Sequence, residues 1–284
     1  FNLGSPAEAA ATVKRVASLF GGDLVGICAH DERWVYTQRY ARHAGEGRPV
    51  GLPDGLTSVV VVGQAMDHDL VDTVPSALSS AAVGLGYSKD ALVLLATAQW
   101  LRNLGYQAVP SLNDTALAIP LAIQAGLGEY GRHGLVITPD FGPRVRFGKI
   151  FTDAPLDHDA PVEFGVSAFC EVCRRCTDAC PPKAIPDGEP SPVKLNRSTI
   201  GGVRKWSVDG EKCFSYWTQI VTDCMICMRV CPYNKDFSRW RHRVGRRLAA
   251  TSLRAVMLRL NDRLGYGERL RPRAWWAGAT RRRA

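Results

Sequence analysis

Nothing in the 284-residue sequence has the basic, apolar and small-residue layout of a secretory leader. No uninterrupted apolar run reaches the roughly 18 residues that a membrane-spanning helix needs. The nearest, ALAIPLAIQAGLG, is short and broken by Pro120. A soluble or at most membrane-peripheral chain is therefore expected. Cysteine is almost absent outside one region: Cys28 stands alone, and the other eight of nine fall between residues 170 and 231. A disulfide scaffold would spread its cysteines through a small secreted domain, so this crowding argues for metal instead. Cys28, in an apolar strand context, reads as a small buried hydrophobe. Aromatic–basic interleaving of the single-strand-binding kind is also missing, so nucleic acid is not an expected partner. The net charge of +9 comes from the end of the chain, where fourteen arginines oppose only Asp236, Asp262 and Glu268. A solvated helical face and a frayed TRRRA end account for that charge.

With 46% hydrophobic residues the chain can bury a sizeable core. PAEAAATVKRVASLFGG predicts an amphipathic helix closed by a glycine pair, and DLVGICA and TSVVVVGQAM predict buried strands. YSKDALVLLATAQWLRNLGY predicts a helix capped by Ser88, with Leu94, Ala98, Leu101 and Leu104 on one side and Gly105 at its end. NDTALAIPLAIQAGLG predicts another, capped by Asn113 or Asp114. HGLVITPD and RVRFGKIFTD predict two strands joined through FGP, and RRLAATSLRAVMLRLNDRL one Arg-rich helix. Mixed strands and helices up to about residue 160 give an α/β or α+β core, and a cysteine-rich segment follows.

The cysteines form two sets. Cys170, Cys173, Cys176 and Cys180 follow the C-x2-C-x2-C-x3-C-P run of bacterial ferredoxins, in which three thiolates bind one cubane and the fourth reaches the other. Cys213, Cys224, Cys227 and Cys231 repeat the C-x2-C-x3-C-P ending behind a displaced first ligand. The spacing predicts two 4Fe–4S clusters with crossed ligands: Cys170, Cys173, Cys176 and Cys231 on one, Cys213, Cys224, Cys227 and Cys180 on the other. Zinc prefers two ligand pairs and needs no proline after the last.

Several segments together carry a resemblance. They are GYSKDALVLLATAQWLRNLGYQAVPSLNDTALAIPLAIQAGLGEYGRHGLVITPDFGPRVRFGKIFTDAPL, the two cysteine sets, GGVRKWSVDGEKCFSYW and RLNDRLGYGERLRPRAWW. The chain resembles the corrinoid- and iron–sulfur-dependent reductive dehalogenases, as an N-terminally truncated catalytic subunit. The resemblance implies an α+β fold: an α/β-type corrinoid-binding domain of nitroreductase-like ancestry (1–160), a ferredoxin-like two-cluster domain (161–236) and a basic C-terminal helix and tail (237–284). It implies two 4Fe–4S clusters and a base-off corrinoid of the cobalamin type. No D-x-H-x-x-G stretch is present to supply a histidine to cobalt.

The implied reaction is two-electron, two-proton removal of halogen from a small organohalide at a cob(I)alamin centre fed by the clusters. By position in the matched motifs, Tyr87 is the implied proton donor, Arg146 its neighbour and Asn113 a polar group beside them. A phenol holds its proton at neutral pH, and a guanidinium nearby stabilises the phenolate left behind. Tyr87, Asn113, Arg132 and His133 are the candidate corrinoid contacts, the last two in GEYGRHG. Trp34, Tyr36, Trp206 and Trp217 are pocket candidates. The resemblance also implies an electron-donor protein or quinol-linked chain and a small membrane-anchor subunit. A cell-envelope location follows if a twin-arginine leader precedes the segment, and a cytoplasmic one otherwise. The rival readings are an epoxyqueuosine reductase-like enzyme acting on tRNA, which would use an aspartate acid, and a plain iron–sulfur carrier.

Overall fold

A computed structural model describes residues 3–39 and 47–278; the last five residues, TRRRA, lie outside the described part. In chain order the first elements are α1 (Pro6–Leu19), β1 (Leu24–Ala29), β2 (Ser58–Ala65), α2 (His68–Asp72), α3 (Ala77–Asn103), β3 (Ala108–Ser111) and α4 (Ala118–Gln124). Then come β4 (Glu129–Tyr130), β5 (Val136–Ile137), β6 (Val145–Thr152), α5 (Val166–Val172) and α6 (Arg175–Ala179). The last are α7 (Gly210–Ile220), α8 (Ile226–Arg229), α9 (Trp240–Ala249), α10 (Arg254–Arg263) and α11 (Pro272–Trp276).

The chain clusters into two compact units. One comprises residues 1–65, 86–128 and 146–162, the other 66–85, 129–145 and 163–284. Residues 66–85 and 129–145, which the sequence reading assigns to a 1–160 domain, thus cluster with the cysteine-rich part.

The first unit is built on a four-stranded sheet of order β1-β2-β6-β3, with β1 antiparallel to β2 and β3 antiparallel to β6. The two central strands, β2 and β6, are almost wholly buried, as strands covered on both faces must be. Helix α1 starts at a full capping box, Ser5 and Glu8 each satisfying the other's backbone N–H. It buries Ala9, Val13 and Ala17 in the same core as Ile27, Val60, Val62 and Ile150. Helix α3 adds Val93, Leu94, Ala98 and Leu101.

Helix α3 begins at Ala77, eleven residues before the expected Ser88 cap, so Ser88 is an interior position. Long and apolar enough by length and composition to cross a membrane, it supplies core packing here. Gly148 fixes its distance from β6: a Cβ there would stand 2.4 Å from Leu94 Cδ1. Cys28 is buried, as its strand context implies.

Three other expectations are corrected. Helix α4 starts at Ala118, with Leu117 at the cap position and no side-chain cap, too far along the chain for Asn113 or Asp114 to serve. HGLVITPD yields only β5, which pairs with β4 and not with the strand that follows; Thr138 and Gly142 instead close a tight turn. The single Arg-rich helix is two, α9 and α10. The break is at Thr251, whose hydroxyl donates to the Leu248 carbonyl at 2.7 Å and accepts from the Leu253 N–H at 3.2 Å, competing with the helical ladder.

In the second unit Gly142, at φ +59°, leaves no room for a side chain: a Cβ would meet the Tyr233 carbonyl oxygen at 1.9 Å. Gly142→Ala is expected to destabilise the protein by about 2 kcal/mol or more, from overpacking plus left-handed strain. The displaced backbone adjoins Cys231 and Pro232, so a drop in thermal midpoint should be accompanied by loss of bound iron.

Candidate functional site

Two groups of side chains stand out, one in each unit. In the first, the Arg146 guanidinium carbon lies over the Tyr87 ring, 3.6 Å from its centroid. The Asn113 amide donates to the phenol oxygen at 2.8 Å. That oxygen is acting as acceptor, so the O–H proton remains available, and among the described residues it has no protein acceptor. Tyr87 is half-buried and Asn113 exposed. Arg146 and Asn113, both named from the sequence, thus each contact Tyr87, although 26 residues separate Tyr87 from Asn113 in the chain.

Beneath them lie two ionisable residues that the sequence reading missed. Asp90, one helical turn after Tyr87, is 1% exposed, and its Oδ1 has no hydrogen-bond partner. Burial pushes its carboxyl up to about 7, against the pull of Arg146 and then Lys149. Lys149 is fully buried; its ammonium donates to the Leu112 carbonyl and, at 3.0 Å, to that of Ala116. Burial lowers it to about 8, opposed by Asp114 and Asp90. The signal was present: Asp90 precedes Leu94 by four residues, on the very stripe that periodicity assigns to the core.

The sign of the Asp90 shift makes a prediction. The folded protein holds that proton more tightly than the unfolded chain does, so the stability it contributes falls as pH rises from about 4 to about 7. Asp90→Asn escapes this loss. Thermal midpoints of variant and wild type should coincide in acid and diverge across that window, with the variant higher at neutral pH.

In the second unit the cysteines are free thiols. Short helices α6 and α8, each carrying the middle of a C-x2-C-x3-C-P segment, pack on each other. Burial raises the thiols of Cys170, Cys176, Cys213, Cys224, Cys227 and Cys231, and neighbouring thiols raise them further. Cys231 feels Cys170, Cys173 and Cys176, whereas Cys213 feels Cys224 and Cys180. Cys224 also feels Cys180, and Cys227 feels Cys176, Cys224, Cys213 and Cys180. The Cys180 sulfur accepts from the Ala184 N–H at 3.3 Å. Among the described residues no three His, Cys, Asp or Glu side chains converge tightly enough for a single metal ion. Eight free thiols in two motifs that each end in C-x2-C-x3-C-P suit iron–sulfur cubanes better than a zinc ion.

Arg132 and His133 belong to this unit, in the turn between β4 and β5 and not at a helix end. The Arg132 guanidinium, 2% exposed, donates to the Cys170 carbonyl at 3.0 Å and to those of Pro186, Asp187 and Gly188 at 3.0–3.2 Å. Its cation also lies 4.7 Å from the Trp206 ring. It braces the loops around the first cysteine set. His133 is held neutral by burial, at about 4; its Nδ1 accepts from the Leu135 N–H at 3.2 Å, and its Nε2 is buried without a partner. The four pocket candidates divide: Trp34 and Tyr36 in the first unit, Trp206 and Trp217 in the second.

One unit is thus an α+β fold with a polar, phenol-centred cluster, and the other carries eight free thiols in two ferredoxin-like motifs. Residues 169–234 match the 4Fe-4S double cluster binding domain, and residues 47–156 match the family described as reductive dehalogenase subunit. A tetrachloroethene reductive dehalogenase of Desulfitobacterium hafniense is 38% identical over 283 residues, covering 85% of this chain and 51% of that protein. One from Sulfurospirillum multivorans is 32% identical over 300 residues, covering 96% and 60%. The solved catabolic reductive dehalogenase NpRdhA superposes with a TM-score of 0.84 at 27% identity, over 94% of this chain and 38% of that one. This chain belongs to the reductive dehalogenase family. It spans about half the length of the D. hafniense relative. Epoxyqueuosine reductases are more distant: the Streptococcus thermophilus structure aligns at a TM-score of 0.52 and 18% identity, a likeness of fold alone.

Proposed function

We propose that the chain carries the catalytic site of a reductive dehalogenase, in which Tyr87 gives a proton to the carbon that loses halogen. The net change is R–X plus two electrons and two protons, giving R–H and HX. The observation that carries this reading is the stack of Arg146 on Tyr87 with Asn113 on the phenol oxygen. When Tyr87 releases its proton, the phenolate is left against a guanidinium and an amide N–H, both of which stabilise negative charge on oxygen. Asn113 does so without adding charge. Such positioned proton donors contribute about 10²–10⁴-fold in rate.

Cys170, Cys173, Cys176 and Cys231 would hold one 4Fe–4S cluster, and Cys213, Cys224, Cys227 and Cys180 the other, each passing one electron at a time. The corrinoid would be held base-off. The first unit fits it in one respect: the Trp34 Nε1 and Arg146 Nε donors are buried without protein partners, and the amide-bearing rim of a corrinoid offers acceptors. When bound, that group supplies the low-potential chemistry of carbon–halogen cleavage, and the protein supplies orientation and the proton. Halogenated ethenes, the substrates named for the curated relatives, are the first class to test. We extend the proposal to a donor protein or quinol-linked chain, a small membrane-anchor subunit and, where a twin-arginine leader precedes the segment, a cell-envelope location, all implied by the family.

The test is halide release by the reduced, cofactor-loaded protein given tetrachloroethene. One chloride per two electrons consumed is expected. No halide from any halogenated ethene or halophenol would overturn the assignment.

A further inference from the structure

We propose that Asp90 is a positioning residue for the proton-donating pair, its charge setting how much of Arg146's positive field reaches the Tyr87 phenol. The inference rests on the donor reading of Tyr87 above. Three residues along α3, Asp90 shares a helix face with Tyr87. A carboxyl kept only for structure would close an ion pair or hydrogen bond with the guanidinium. Here Oδ1 of Asp90 and Nε of Arg146 are both buried and both unsatisfied.

The close approach of α3 to β6 at Gly148 holds the two elements together, since any side chain there would run into Leu94. The charged groups around the carboxyl are Arg146 and Lys149 on β6, with Asp114 acting on Lys149 from the loop before α4. Lys149 is tied to the Leu112 and Ala116 carbonyls and so cannot swing over to neutralise Asp90.

The sign follows. While Asp90 keeps its proton, the guanidinium acts on the phenol undiminished. Once Asp90 ionises, part of that field is cancelled and the phenolate is less favoured. In the transfer itself the Tyr87 O–H bond breaks and a C–H bond forms on the substrate; Asp90 neither gives nor takes that proton. Burial places the ionisation of Asp90 at about 7, so the donor weakens across neutrality.

The experiment is a tyrosinate absorbance titration of the cofactor-loaded protein, with the Tyr87→Phe curve subtracted to isolate one phenol. Asp90→Asn should give about tenfold more Tyr87 phenolate at a given alkaline pH, and Asp90→Glu should restore the wild-type curve. Asp90→Ser is the second neutral variant. An unmoved Tyr87 titration in either folded neutral variant overturns the proposal, as does failure of both to fold, which would make the residue structural. No halogenated substrate enters the measurement. An unmoved titration therefore leaves the donor reading intact, whereas full turnover by Tyr87→Phe would sink the donor and leave the titration standing.

Discussion

Tyr87→Phe is expected to lower dehalogenation by about 10²–10⁴-fold, with iron content and thermal midpoint unchanged. The substitution removes one hydroxyl and keeps the ring, so the stack under Arg146 survives. What is lost is the only O–H in the Tyr87, Asn113 and Arg146 cluster. Asn113→Ala keeps the acid and removes one N–H to its oxygen; a loss of about tenfold fits one hydrogen bond of about 1.4 kcal/mol to a developing charge. The measurement is halide release at saturating substrate, with reduced protein in excess of one turnover. A Phe variant as fast as wild type would move the proton source to solvent.

The second large effect concerns how the thiols are shared. If ligands cross, Cys180 and Cys213 serve the same cluster, so Cys180→Ala combined with Cys213→Ala removes one cluster and leaves about four irons of about eight. Cys180→Ala combined with Cys170→Ala strikes both and leaves almost none. A local assignment, each motif holding its own cluster, reverses the two results. Anaerobic iron determination with EPR of the reduced protein reads them directly.

The cysteine motifs were legible because their information is local: spacings of two and three residues dictate which sulfurs a short helix and turn can gather. The buried strands and the core stripe of α3 were legible for the same reason, a period that shows in the chain.

Helix ends were less so. Ser88 has the chemistry of a cap, yet the run of small residues before it continues the helix to Ala77, where packing outweighs capping preference. Asn113 looks equally like a cap and like a phenol's partner, and only the approach of a residue 26 positions away decides. The Arg132 guanidinium donates through Nε and Nη1 to four carbonyls, a long-range arrangement that no spacing encodes. Asp90 lies one turn before Leu94 on the core stripe of α3, and the spacing of apolar residues says nothing of a buried carboxyl among them.

The central claim is that the phenol-bearing unit is served by a corrinoid and the thiol-bearing unit by two clusters. A metal inventory of the anaerobically loaded protein tests it most directly. The account predicts about eight irons and about one corrinoid cobalt per chain; a full complement of iron with no cobalt retained would contradict it and leave an electron carrier.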